Sequence, residues 1–250
     1  MQFDFNIFVD ALGSSALLKG ALITVALAVS AWFGAQILGG VLALARQSRF
    51  APVRAAVLGY LWFFRAVPLL LQLLFVWNAL PQLIPSLKSD WFTPFIAGFV
   101  ALTLHEASYM AEITRSGLLS VDPGQRDAAR ALGMTTVQAY RHVILPQALR
   151  VMIPPSANEF ITLLKLTSLA SVISLSELLT RTQQDVAVNF RFAELYAAAT
   201  VYYLVMVSLL MLLQARLERR FQWRSRKAGK EALAAPTTTI ESLEFAHDAR

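Results

Sequence analysis

The run GALITVALAVSAWFGAQILGGVLALA, residues 20–45, carries no charged side chain over its whole length. A helix needs about 20 mainly apolar residues to cross the hydrocarbon core of a bilayer, so this run places the chain in a membrane. Four further runs follow. Residues 55–80 hold one charge, Arg65. Residues 91–114 contain His105, Glu106 and Glu112, residues 151–176 contain Glu159 and Lys165, and residues 195–215 are again uncharged. The pattern predicts an all-α integral membrane protein with a five-helix transmembrane bundle. Composition agrees: 56% of the 250 residues are apolar and 15% charged, against about 25% charged in a soluble domain. The absence of cysteine excludes a disulfide framework, thiolate metal sites and a cysteine nucleophile.

The net charge of +6 is explained by where the basic residues fall. With the N-terminus outside, 16 of the 22 Lys and Arg lie in the two inner loops and the C-terminal tail. Lysine and arginine accumulate in cytoplasmic loops, so the bias predicts N-out, C-in and an odd number of spans, and removes the reason to invoke nucleic acid. The start, MQFDFNIFVD, is acidic and lacks a basic n-region, so the first run reads as retained rather than cleaved. No internal repeat stands out to support an inverted-repeat transporter. Residues 1–223 form the membrane domain. Residues 224–250 are polar without apolar period and read as a disordered cytoplasmic tail, solvated or resting on anionic head groups.

The longest polar stretch between spans is RSGLLSVDPGQRDAARALGMTTVQAYRHVILPQALR, residues 115–150. Pro123-Gly124 marks a turn. Residues 125–132 are good helix formers, and Gly133 supplies a left-handed stop. Thr135 or Thr136 can cap a second helix, which Pro146 limits. Two short helices bent at a glycine make a compact cytoplasmic knob. The small Ala128, Ala129 and Gly133 permit close approach of another surface, and Asp127 and Arg130 offer polar contacts at its rim. The other reading of the loop, an amphipathic segment lying on the membrane, wants an aromatic face, and residues 126–145 offer only Tyr140.

The order Asp127-Ala128-Ala129, Gly133, then Val143-Ile144-Leu145-Pro146 resembles the EAA loop of ABC-importer permeases, with Asp127 in place of Glu and Val143 in place of Ile. The stretches FFRAVPLLLQLLFVWNALP, EITRSGLLSVDPGQRDAARALGM and PPSANEFITLLKLTSLASVISL resemble the polar-amino-acid branch of that family. Many members read RGTPL where this chain reads Arg65-Ala66-Val67-Pro68-Leu69, which loses a threonine hydroxyl. The resemblance implies the type I importer permease fold in the inner membrane. It implies a coupling helix that docks on a cytoplasmic ABC ATPase dimer, with ATP and Mg bound by that partner and no cofactor on this chain. It further implies a second permease chain, identical or similar, and a periplasmic binding protein that delivers an amino acid. The coupling residues would be Asp127, Ala128, Ala129, Arg130, Gly133, Met134, Leu145 and Pro146.

An ionisable side chain within a span costs at least ~2.5 kcal/mol on insertion scales and signals a partner or a function. Arg65 lies near Pro68, which frees backbone carbonyls, and a guanidinium can clamp a carboxylate with two hydrogen bonds. Asn158, Thr162 and Lys165 share one helical face, with Glu159 beside it. Arg65, Pro68, Asn158, Glu159, Thr162, Lys165, Thr167 and Ser168 are therefore candidates for a substrate path or gate. In the competing reading, Arg65, Glu159 and Lys165 pair with one another or with Glu106 and lock the bundle, and Thr167 and Ser168 serve helix packing. The polar outer loop 176–194, with Arg181, Gln183, Gln184 and Asp185, is the candidate docking surface for the binding protein. His105 and Glu106 lack the second histidine of a His-Glu-x-x-His site, since residue 109 is Tyr, and read as hydrogen-bonding or packing groups rather than metal ligands. No nucleophile elbow or Walker loop occurs, so no catalytic residue is assigned. The alternative class is an ion-gradient-driven secondary transporter or channel, with Glu106, Glu112 and Glu159 as proton carriers.

Overall fold

The computed structural model describes residues 3–234, with side chains described through Arg219. All regular elements among the described residues are helical. The chain opens with a helix the hydropathy pattern gave no sign of, α1 (Phe5–Leu12), capped by Asp4, whose carboxylate accepts the Asn6 N–H at 2.9 Å. Its Phe8 and Leu12 pack toward the C-terminal helix, and the Tyr202 hydroxyl donates to the Leu12 carbonyl at 2.8 Å.

The first span is α2 (Ser15–Ala45), five residues longer at its start than the uncharged run. It crosses α6 (Pro94–Leu119), which covers the third run. The α2 face toward α6 includes Ala31, Ala35, Gly39 and Ala43, all buried. Small side chains let two membrane helices approach closely. At Gly39 the approach is closest: a Cβ there would lie 2.5 Å from Met110 Cβ and 2.9 Å from the Ala111 nitrogen.

The second run is not one straight helix. α3 (Ala51–Ala66) and the segment made of α4 (Leu69–Leu74), a wide turn at Phe75–Ala79 and α5 (Leu80–Leu83) meet at a 103° bend. Pro68 is the cause. It has no N–H for the Phe64 carbonyl four residues back, and Val67 is extended, with ψ 129°. The Gln72 amide fills the gap, donating to the carbonyls of Val67 at 2.8 Å and Phe64 at 3.1 Å.

After α6 come α7 (Pro123–Ala131), α8 (Thr136–Ala139) and α9 (Leu145–Leu166). Pro146 does not stop the second loop helix, contrary to the sequence expectation. A wide turn at Tyr140–Ile144, closed by the Leu145 N–H on the Tyr140 carbonyl, joins α8 to α9 and lets the proline ring pass. Pro154 and Pro155 also lie within α9. The rod continues as a 3₁₀ stretch, Thr167–Ile173, and then bends by 49° into α10 (Leu178–Asn189). The outer segment expected as a loop is therefore largely helical. The last helix, α11 (Phe192–Ala234), covers the fifth run and continues into the predicted tail; residues 235–250 lie outside the described residues.

Two helices, α2 and the Phe192–Arg219 part of α11, are long and apolar enough to cross a membrane alone, and each bent pair adds one more if it counts as a single span. The main core lies where α2, α4, α6 and α9 meet, around Leu27, Leu73, Leu102, Leu163 and Ile173.

Candidate coupling elbow and intramembrane polar groups

The elbow is built by local rules. Asp122 caps α7, accepting the Gly124 N–H at 2.7 Å, and Pro123 opens the helix without needing a donor. Gly133 adopts φ +73°, a backbone that costs a side-chain-bearing residue about 1–2 kcal/mol. Around it the Met134 N–H reaches the Ala129 carbonyl at 3.1 Å and the Gly133 N–H the Arg130 carbonyl at 2.9 Å, closing the end of α7. Thr135 and Gln138 then form a reciprocal cap: Gln138 N–H donates to the Thr135 hydroxyl at 3.3 Å, and Thr135 N–H to Gln138 Oε1 at 2.8 Å.

This geometry divides the predicted coupling residues. Asp127, Ala128, Arg130 and Gly133 are exposed, with Arg130 at 3.7 Å from Asp127. Met134 is half-buried. Ala129 is turned inward and buried, so it supports the elbow rather than offering a surface. Leu145 and Pro146 lie on the first turn of α9, away from the bend. The structure adds two residues that sequence reasoning passed over: Leu132 and Val137 flank Gly133 and are 77% and 75% exposed. The signal was there, as two apolar residues around a helix-stopping glycine in a polar loop.

The intramembrane charges separate in the same way. Arg65 does not join Glu159 or Lys165. Its guanidinium donates to the Ser108 carbonyl at 3.0 Å, lies over the Tyr109 ring, and sits 3.8 Å from Glu112. Glu112 is also paired with Arg46 at the end of α2 and with Arg115 at 3.0 Å. α3 packs on α6 through Val57 and Leu61 against Ala111, and Arg65 reaches the same helix at Ser108. Among the described residues no ion pair within 4 Å links Arg65, Glu159, Lys165 and Glu106. Glu106 is buried, with one carboxylate oxygen lacking a hydrogen-bond partner. His105 faces Gln72 at 3.2 Å, beside the Pro68 bend.

On α9, Asn158 is exposed, Glu159 and Thr162 are half-buried, and the Thr162 hydroxyl donates to the Asn158 carbonyl at 3.3 Å. Thr167 is fully buried and donates to the Leu164 carbonyl at 2.7 Å, a packing role. Lys165 and Ser168 line a cavity together with Thr200, Tyr203 and Leu204 of α11. Behind it Glu177, invisible to sequence reasoning, is buried at the start of α10. It accepts the Leu179 and Thr180 N–H groups at 2.9 and 2.7 Å and the Tyr203 hydroxyl at 3.4 Å. On α10, Gln183 and Gln184 are exposed and Asp185 is half-buried. Arg181 is half-buried and packs toward Gly20 of α2 with its Nε buried.

Residues 35–223, three quarters of the chain, match the family of binding-protein-dependent transport system inner membrane components. The chain belongs to that family. It is 36% identical over 222 residues to the glutamine transport system permease protein GlnP of Escherichia coli (strain K12), covering 89% of this chain and 99% of that one. It is 38% identical to the probable amino-acid permease protein YxeN of Bacillus subtilis (strain 168), over 81% of this chain and 90% of the other. A crystal structure of an amino acid ABC transporter with histidines aligns with TM-score 0.78 and 34% identity, over 88% of this chain and all of that one. The MetNI methionine ABC transporter shares the fold at TM-score 0.65 and 22% identity, over 82% of this chain and 95% of that one. The chain is thus a membrane-embedded permease of the binding-protein-dependent importer class, and a transport subunit by family.

Proposed function

We propose that this permease carries a polar amino acid inward across the bacterial inner membrane, powered by a separate ABC ATPase dimer that binds ATP and Mg. The observation that carries the reading is the exposed elbow at Gly133, a rigidly capped bend with Leu132 turned outward, suited to a partner surface. A second permease chain completes the pathway, and a periplasmic binding protein delivers substrate at the α10 end, where Gln183 and Gln184 are exposed. Five spans with the N-terminus outside put the elbow in the cytoplasm. Asn158, Glu159, Thr162, Lys165 and Ser168 line the path. The cavity beside Lys165 supports this reading, because it sets a cation and three hydroxyls, those of Ser168, Thr200 and Tyr203, at one place.

The test is reconstitution of the permease with its ATPase and binding protein in vesicles. Uptake is expected with enclosed ATP and no proton gradient, and none with a proton gradient and no ATP; the reverse result makes the chain a gradient-driven transporter. Leu132→Asp is expected to lower binding-protein-stimulated ATP hydrolysis and uptake together by at least about tenfold, since a carboxylate would be buried at the joint.

A further inference from the structure

Two apolar hollows share Gln36 of α2 and Met152 of α9 and so form one groove. Their volumes are about 490 and 620 Å³. The upper part runs between α2, α9 and α11, walled by Trp32, Phe33, Phe160 and Leu213. The lower part passes Gly40, Leu44 and Leu145 and ends beside Val137 on Thr114, Thr136, Tyr140 and Arg141. A hydrocarbon wall of this length rejects a polar ligand. Its end does the opposite: three hydroxyls and a guanidinium are all hydrogen-bond donors. Among the described residues Arg141 has no carboxylate within 4 Å, unlike Arg46, Arg65 and Arg115 nearby.

We infer that this groove holds one anionic phospholipid of the inner leaflet, an acyl chain along Trp32 and Phe160 and the phosphate on Arg141. The orientation rests on the inward-facing elbow of the reading above. The occupant is fixed by charge and by place. The groove runs along α2 and α11, two helices long and apolar enough to cross a membrane, and its polar end lies by Leu44, near the end of α2, where a fixed cation attracts an anionic head group. The lipid would wedge between α2 and the α8–α9 joint, the part of the chain that must move when the elbow is pulled.

Gly40 gives a clean probe. A Cβ there meets nothing within 4 Å, so Gly40→Leu fills the groove without a clash and also removes a glycine from a helix interior. The full-length permease is purified in mild detergent with phosphatidylglycerol and phosphatidylcholine, and retained lipid is read by native mass spectrometry. The wild type should keep one phosphatidylglycerol per chain in preference to phosphatidylcholine. Arg141→Gln should lose roughly fivefold of that preference, the effect of one cation at an anionic surface. Gly40→Leu should release both lipids while the melting temperature holds. Equal retention of the two lipids by the wild type overturns the inference. So does undiminished retention in Gly40→Leu, or a Gly40→Cys variant that crosslinks to a second copy of the chain through the groove. Retention is read without the ATPase, so its failure is separate from failure of the importer reading.

Discussion

An arginine within a span needs an anion or a ring to replace water, and Arg65 finds Glu112, Tyr109 and a backbone carbonyl on α6. The guanidinium was legible in the sequence as a cost requiring compensation; its partner was not. Nothing in the local pattern says that α3 packs on α6, so a substrate clamp and a structural pair looked alike. The geometry makes Glu112 the hub of three arginines. Glu112→Gln keeps the shape and leaves three partly exposed cations around a neutral amide. Losing charged hydrogen bonds of this kind costs about 1.5–3 kcal/mol each in full burial, and partial exposure here brings the expected total to about 1–3 kcal/mol. Thermal unfolding of the purified permease checks it. A melting temperature equal to the wild type would mean that the arginines are held by something other than Glu112.

Elements were read well where one rule acted alone and poorly where two rules met. The uncharged α2 and α11 runs and the Gly133 stop came through with the right character, because hydropathy and glycine backbone chemistry are local. Prolines did not, because their outcome depends on what replaces the missing N–H. Pro68 breaks its helix by 103°, while Pro146 is carried through by the wide turn ahead of it. The bend at Pro68 stands because Gln72 is there, buried, with its amide on the two freed carbonyls. Gln72→Leu matches the volume roughly and satisfies neither. An unpaired buried backbone group costs about 1–3 kcal/mol, so the variant should lose about 2–4 kcal/mol and unfold at lower temperature. Gln72→Glu has no hydrogen to donate when ionised and a single one for two carbonyls when neutral, so it too should unfold at lower temperature. If both variants melt as the wild type does, the bend is held by Pro68 and packing alone.

At the scale of the whole molecule the elbow and α10 are tied to opposite ends of one rod. The segment Thr136–Ile173 is long enough, at 1.5 Å per helical residue, to reach roughly 55 Å, against a hydrocarbon core of about 30 Å. A rod of that length that enters the membrane near the elbow must leave it before α10, so the two surfaces lie on opposite sides. In the proposed orientation the elbow lies inside. Because the chain has no cysteine, each position can be read alone without removing background thiols. Leu132→Cys and Val188→Cys replace exposed residues, 77% accessible in both cases, so neither change should disturb packing. In intact cells with a permeable outer membrane, a membrane-impermeant maleimide should label Val188→Cys and leave Leu132→Cys untouched until the inner membrane is opened. Label on Leu132→Cys in sealed cells would turn the molecule over, removing the ATPase grip from the elbow. Label on both in sealed cells would mean that the rod does not cross. Only the expected pattern lets one chain receive substrate at α10 while being pulled at Gly133.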